Sequence, residues 1–478
     1  MSYKDFSIPL SKLNSSYDVV IIGAGIGGLV CANFLAKNEY SVLVIEQHYK
    51  PGGLCTSFHR KGFVFDAGAH HLGGIGNPRS LTGMIISRLD LDLNMVSTDP
   101  FSLIHIGPET IAIPSDGRRY STLLQDRFPR EAKGIAHFFS DIADINKSKA
   151  ANPNHRLVQK YEMSTYYQML SDYFTDENLK AILSAHWGYV GLPAKKVSAL
   201  TMCLTLGSYI LDGGYIIEGG AQQLPNRLTE NLLRHGGHIL LSHEVSDVLV
   251  RDGHAWGVGL SRGQIIKARY VVSNIDAKQT FLKLLPAGCL KEGFVTKLLG
   301  YKESCSIFMT FLVLKDAAVI LKEIRGWHFE SYEAILNKED FLFLLSTSAD
   351  RSEKVLPRKQ SLRISVPIFD HDFNWKGRKE AFEKDLLANL TKKFPALEGK
   401  ILYQESASPA TFYRYTRNSR GAAYGWALTP DQDGRFRLDN QTPIRNLYLT
   451  GHWSRPSTGI APVIHSGFFA ATRIMRKS

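Results

Sequence analysis

Gly23, Gly25 and Gly28 stand in the pattern G-x-G-x-x-G, and Glu46 closes the next apolar run. Residues of these types in this order can hold a phosphorylated nucleotide. The first glycine permits a tight turn, the second lets a pyrophosphate approach bare backbone, and the third lets a helix pack close to the preceding strand. A helix starting there offers free N–H groups and the positive end of its dipole to the phosphates. A carboxylate at the end of the second strand can accept hydrogen bonds from ribose hydroxyls. The intervening segments suit this. Residues 18–22 (DVVII) are an apolar run of the kind buried on both faces of a parallel sheet, LVCANFLAK has a helical pattern, and residues 41–45 form a second apolar run. Together they read as a dinucleotide-binding βαβ unit, with NAD and FAD both open at this point.

Other residues that could do chemistry are few. His70 and His71 follow the turn Asp66-Ala67-Gly68. Adjacent side chains of an extended segment point opposite ways, so at most one of the two faces any given site, where an imidazole can move a proton or polarise a bond. His452 and His465, near the C-terminal end, are further candidates. No His, Cys, Asp and Glu cluster has metal-ligand spacing, and the five cysteines lack the CxxC pattern of a zinc or dithiol site, so no metal is expected. Cys55 reads as packing.

These residues must be positioned by elements far apart in the chain. Residues 213–276 read as a helix followed by short alternating strands with Gly and Asp turns. Residues 447–451 (LYLTG) form an apolar strand ending in glycine, and residues 458–475 begin a helix after a small-residue turn. Residues 200–211 (LTMCLTLGSYIL) are the most membrane-like stretch, but at that length they suit a buried helix rather than a span.

The composition is that of a globular protein: 478 residues, 44% hydrophobic and 21% charged. Scattered cysteines and the absence of a signal or transit pattern point to a reducing compartment. The formal net charge of +12 favours an anionic partner. No nucleic-acid reading motif accompanies it, so no nucleic-acid role is expected, whereas a membrane surface attracts the same residues.

Directly after Glu46 comes QHYKPGGLCTSF, with the pair Gly52-Gly53, and then KGFVFDAGAHHLGG. This order resembles the extended fingerprint of the FAD-binding amine oxidase and phytoene desaturase superfamily, and the segments at 213–276 and 447–475 resemble its returning and closing motifs. The stretch SPATFYRYTRNSRGAAYGWALTPDQDG, residues 408–434, looks like the corresponding part of carotenoid desaturases, carotenoid isomerases and the retinol-saturase group. The resemblance implies an α/β fold with a discontinuous, Rossmann-like FAD-binding domain of the glutathione-reductase and amine-oxidase type. It would be built from residues 14–100, 213–285 and 441–478, with an α+β substrate domain inserted as 101–212 and 286–440. It implies FAD contacts at Gly23, Gly25, Gly28, Glu46, Gln47, Gly52, Gly53, Gly68, Ala69, Val245, Gly451, Gly459, Ile460 and Val463. Catalytic candidates are His70, His71 and His452; substrate candidates are Arg414, Tyr415 and Trp426. The chain departs from the family pattern at His452, where an acidic residue usually follows the terminal glycine.

The implied activity is FAD-dependent oxidation, reduction or isomerisation of carbon–carbon double bonds in a carotenoid, retinoid or related isoprenoid polyene. Hydride transfer at flavin N5 would be common to desaturation, saturation and cis–trans isomerisation. Quinone, oxygen or NAD(P)H would be the electron partner. Two alternatives stand: an amine-oxidase-like enzyme, suggested by Tyr424, Trp426, Tyr448 and Trp453 as a cage for a small amine, and a flavin-free prenyl-lipid escort resembling the GDP-dissociation inhibitors. Because polyenes reside in membranes, the basic surface and the apolar segment near Leu200 suggest peripheral attachment on the cytoplasmic side.

Overall fold

The run DVVII forms the strand Ser16–Ile22, and its alternate side chains enter two different cores. Val19 and Ile21 face a cluster built with the helices Ile26–Lys37, Gln223–Arg234 and Ile460–Met475. Val20 and Ile22 face another, which contains Val248, Val258, Phe281, Trp426 and Trp453. A period of two with both faces covered is why the run is apolar throughout. Each such side chain contributes roughly 1.5–3 kcal/mol on burial. The computed structural model describes residues 3–68, 71–151, 155–345, 359–370 and 374–477, with backbone alone at 148–151.

The strand Ser16–Ile22 lies between Val42–Glu46 and Ile265–Ser273, both parallel to it, with Ile22 opposite Ile45 and Ser273. His238–Leu241 extends the parallel sheet beyond Val42–Glu46. On the other side, Leu447–Leu449 pairs in parallel with the last residues of Ile265–Ser273, while His254–Leu260 and Val245–Arg251 add an antiparallel ribbon. One sheet thus gathers strands from the beginning, middle and end of the chain. The helix Ile26–Lys37 packs tightly on it. A Cβ on Gly28 would overlap the Gly23 carbonyl oxygen, and one on Gly467 would overlap that of Gly27, so these positions have backbone-to-backbone contact.

A second sheet has seven strands in the order 401–407, 306–315, 359–368, 342–345, 326–329, 102–106 and 109–113, antiparallel except for one pair. Helices Ala132–Ala151, Glu177–Ser184 and Ala199–Ile210 pack beside it around a large apolar core. Small sheets formed by 57–60 with 63–66, and by 72–73, 214–217 and 95–97, link the two halves. The fold is the expected α/β class with a discontinuous Rossmann-like sheet. The helix Ala199–Ile210 is a correction to one expectation. Leu200, Met202, Cys203, Leu206 and Ile210 are buried within the protein, so the helix is not a surface anchor, and only Leu211 beyond its end is exposed. No helix among the described residues is long and apolar enough to cross a membrane.

Candidate functional site

The parallel strands end together, and their carboxyl ends open into one cavity of about 1040 Å³. Ile22 and Gly23, Ile45 and Glu46, Asn274 and Ile275, and Gly451 and His452 all line it, each just at or beyond the end of its strand. This is where ligands bind in open α/β sheets, because strand ends and helix starts leave backbone groups unpaired there. The volume lies at the top of the range for a single drug-sized ligand, roughly 300–1,000 Å³, leaving room for a dinucleotide and a second molecule.

At one end the two glycine turns meet. Gly25 and Gly52 form a parallel β-bridge, and the Gly52 amide donates to the Ala24 carbonyl at 2.9 Å. Gly23 has φ +95°, a conformation that costs other residues strain. The helix Ile26–Lys37 starts at Gly25 with no side-chain cap, and Ile460–Met475 starts at Gly459 likewise. Two uncapped helix N-termini, lined by Ile26 and Gly27 and by Ile460 and Ala461, therefore face one cavity. Glu46 is nearly buried; its two carboxylate oxygens accept from the Ala24 amide at 2.8 Å and the His48 amide at 2.9 Å. Burial pushes its pKa up, and the amide donors offset part of that rise. An anion seat at a helix start, a ribose acceptor and a second dipole for an electron-rich ring fit FAD.

Gln47, Gly53, Gly68, Val245 and Val463 also line the cavity. Gly28 does not; it serves the helix–strand contact already described. Ala69 and His70 lie outside the described residues. His71 lines the cavity and is held neutral, its pKa pulled down to about 4 by burial and by the charges of Arg325 and Arg363. His452 is pulled down to about 3 by burial and the nearby Arg437. His465, also in the wall, pairs with the Thr82 hydroxyl at 2.9 Å and is lowered to about 4 by burial.

The substrate-side expectations need correcting. Trp426 is fully buried in the core away from the cavity, its indole N–H donating to the Trp453 carbonyl at 2.9 Å. Arg414 is exposed and does not reach the wall. Tyr415 does reach it, but beside Gln47 and His48 at the dinucleotide end, where its carbonyl accepts from Gln47 Nε2 at 3.4 Å. Of the four late aromatics offered as an amine cage, Tyr448 and Trp453 are also core residues, and only Tyr424 lines the cavity.

Several wall residues went unread in the sequence. Asn274 sits among Gly23, Gly25, Gly27 and Gly451 and donates from Nδ2 to the Gly23 carbonyl at 3.2 Å. Its signal was available, since it immediately follows a strand of the parallel sheet. The apolar compartment is formed by Tyr189, Leu204, Tyr209, Ile307, Met309 and Phe412, from helices and from the second sheet. Tyr189 and Tyr209 stack with ring centroids 5.2 Å apart. Nothing local distinguishes these residues from ordinary core.

Fold and cavity define an FAD-dependent oxidoreductase. A family model described as flavin containing amine oxidoreductase matches residues 26–475, and the chain belongs to that family. It is 28% identical over 511 residues to all-trans-retinol 13,14-reductase of Rattus norvegicus, covering 92% of this chain and 83% of the relative. It is 26% identical over 508 residues to the chloroplastic prolycopene isomerase of Arabidopsis thaliana, covering 96% and 83%. Among solved structures, a putrescine oxidase variant superposes with TM-score 0.70 at 18% identity, covering 97% of this chain and 99% of that one. An oxidoreductase from Methanosarcina mazei gives 0.69 at 19%, covering 96% and 99%. These last two likenesses establish the fold. The flavin-free escort is set aside by the family assignment.

Proposed function

We propose that the protein acts on a carbon–carbon double bond of a retinoid- or carotenoid-like polyene. The observation that carries this reading is the continuity of one cavity from the glycine turns into a compartment walled by Tyr189, Leu204, Tyr209, Ile307, Met309 and Phe412. Relatives named for retinol reduction and prolycopene isomerisation along nearly the whole chain support it. An amine needs a charged or aromatic partner, and three of the four cage candidates lie in the core.

FAD, when bound, supplies a hydride acceptor or donor at N5. The residues proposed to hold it are Gly23, Gly25, Glu46, Gln47, Gly52, Gly53, Gly68, Val245, Gly451, Gly459, Ile460 and Val463, with Gly28 letting the helix approach. The proposed division assigns 14–100, 213–285 and 441–478 to that task and 101–212 and 286–440 to the substrate. The chain's own contribution to the chemistry is positioning and exclusion of water by the apolar wall. His71 and His452 are neutral at physiological pH, so each can hold a hydrogen bond at a ring nitrogen without bringing a charge beside an uncharged substrate.

The cavity mouth is proposed to rest on a membrane surface. Met84 and Leu211, about 40% exposed, line the cavity together with exposed Arg79 and Lys147, so apolar and basic groups share one rim. Five free cysteines fit the cytoplasmic side. The deciding experiment is an absorption spectrum of the purified protein followed by anaerobic incubation with a polyene in liposomes. A band near about 450 nm that bleaches with the polyene, or a polyene altered once the band has been bleached, supports the reading. A flavin that exchanges electrons with benzylamine or putrescine and with no polyene would defeat it.

A further inference from the structure

Two buried charges lie behind the cavity wall without lining it. Asp433 and Arg437 are 4% and 1% exposed, and both sit outside the cavity itself. The Arg437 guanidinium donates from Nε to the Ser454 carbonyl at 3.3 Å and from Nη2 to the His452 carbonyl. Its Nη1 meets no acceptor among the described residues. His452, Pro456, Ser457, Thr458 and Gly459 all line the cavity, so the guanidinium backs the loop that leads into the uncapped helix Ile460–Met475.

The Asp433 carboxylate is shared between two walls. Oδ1 accepts from the Ser457 hydroxyl at 3.4 Å, in that same loop, and Oδ2 accepts from the Thr201 hydroxyl, on the helix Ala199–Ile210. Thr201 lines the cavity as Leu204 does, one turn further along. One carboxylate therefore joins a helix of the apolar compartment to the loop at the flavin end. Asp433 also acts on Arg437 through space: burial pulls the guanidinium pKa down to about 10, and the carboxylate offsets part of that fall. The guanidinium stays charged at physiological pH, and its field reaches the His452 ring in the cavity wall. Buried charges are screened far less than surface ones, so each of the two matters at the loop.

We propose that Asp433 is a positioning residue that holds the reduction potential of the flavin down, by offsetting the charge of Arg437 behind the 452–459 loop. A flavin seated against this loop gains electron density on reduction, so an uncompensated guanidinium there favours the reduced form and the carboxylate opposes it. Through Thr201 the same carboxylate is fixed by a helix that lines the substrate compartment. The assignment rests on the flavin seat and is independent of the substrate.

The test is the midpoint potential of the flavin-loaded protein, read from its absorption against a reference dye during slow anaerobic reduction. Asp433→Asn keeps the side chain's size and removes its charge. It should shift the equilibrium toward reduced flavin by about tenfold, a rise of about 30 mV for two electrons. Arg437→Met should shift it by a similar factor the other way, and the double variant should return it close to wild type. Thr201→Val keeps both charges and deletes only a hydrogen bond that screens the carboxylate, so it should favour oxidised flavin by about threefold. That variant guards against a folding defect in the charge variants. A packing role alone would lower thermal stability and leave the potential in place. An unchanged or lowered potential in flavin-loaded Asp433→Asn would therefore overturn the proposal. If neither charge variant retains flavin, an unchanged potential in Thr201→Val would overturn it.

Discussion

Arg363, on the strand Lys359–Ile368 of the second sheet, donates from Nη1 to the backbone carbonyls of Asp66 at 3.1 Å and Gly68 at 2.9 Å. A buried guanidinium from one half of the molecule thus grips the loop that carries cavity residues of the other half. Burial pulls its pKa down to about 10, so it remains charged at physiological pH.

Arg363→Met is expected to lower stability by about 2–3 kcal/mol, because two part-buried carbonyls lose a charged, buried donor. Flavin affinity should fall with it, since the 66–68 loop is released. Arg363→Lys should recover a fraction of both, having the charge but not the fork geometry. Urea denaturation together with flavin titration reads these values; a methionine variant as stable as wild type would show that the loop is held by other contacts.

The glycine turn predicts a separation of two effects. Gly28→Ala places a Cβ into the Gly23 carbonyl and should cost about 1–3 kcal/mol of stability along with the bound flavin. Glu46→Ala leaves the Ala24 and His48 amides without their acceptor and should weaken flavin binding by about tenfold or more, while Glu46→Gln keeps an acceptor and loses less. Flavin retained after gel filtration, measured by absorbance, checks both.

Buried histidines set the acid limit of stability. His71, His186, His328, His452 and His465 have folded pKa values of about 3–4, below the unfolded value near 6.5. Between those limits the unfolded chain binds more protons, so stability is fully present above about pH 6.5 and is lost as pH falls. Going from pH 7 to 5.5 should cost about 1 kcal/mol for each of these residues. His465→Asn, which can still pair with Thr82, should reduce that loss by about one such increment in denaturation curves at the two pH values. An unchanged slope would mean that His465 is protonated in the folded state.

The mixed rim predicts lipid binding. Co-sedimentation with anionic vesicles should weaken about fivefold in Arg79→Glu, corresponding to about 1 kcal/mol per basic residue at a charged surface, and should weaken further in Met84→Glu combined with Leu211→Glu. Neutral vesicles should respond to the apolar pair and little to Arg79. Equal binding by all variants would remove this rim from the membrane contact.

By itself the sequence determined the nucleotide half of the protein. Turns, strand ends and helix starts are made from neighbouring residues whose conformational requirements are local, so Gly23, Gly25, Glu46 and Gly52 could be read from order and type alone. The wider fold followed from that order through its resemblance to a known family. The substrate half was decided only by tertiary structure. Tyr189, Tyr209, Ile307, Met309 and Phe412 come from segments with no shared spacing, and an apolar wall uses the same side chains as an apolar core. Trp426 was drawn to the site by its chemistry yet lies in the core, while Arg363 grips the 66–68 loop from a strand hundreds of residues away. Which apolar residues border a cavity depends on how distant elements pack, and no local pattern records that.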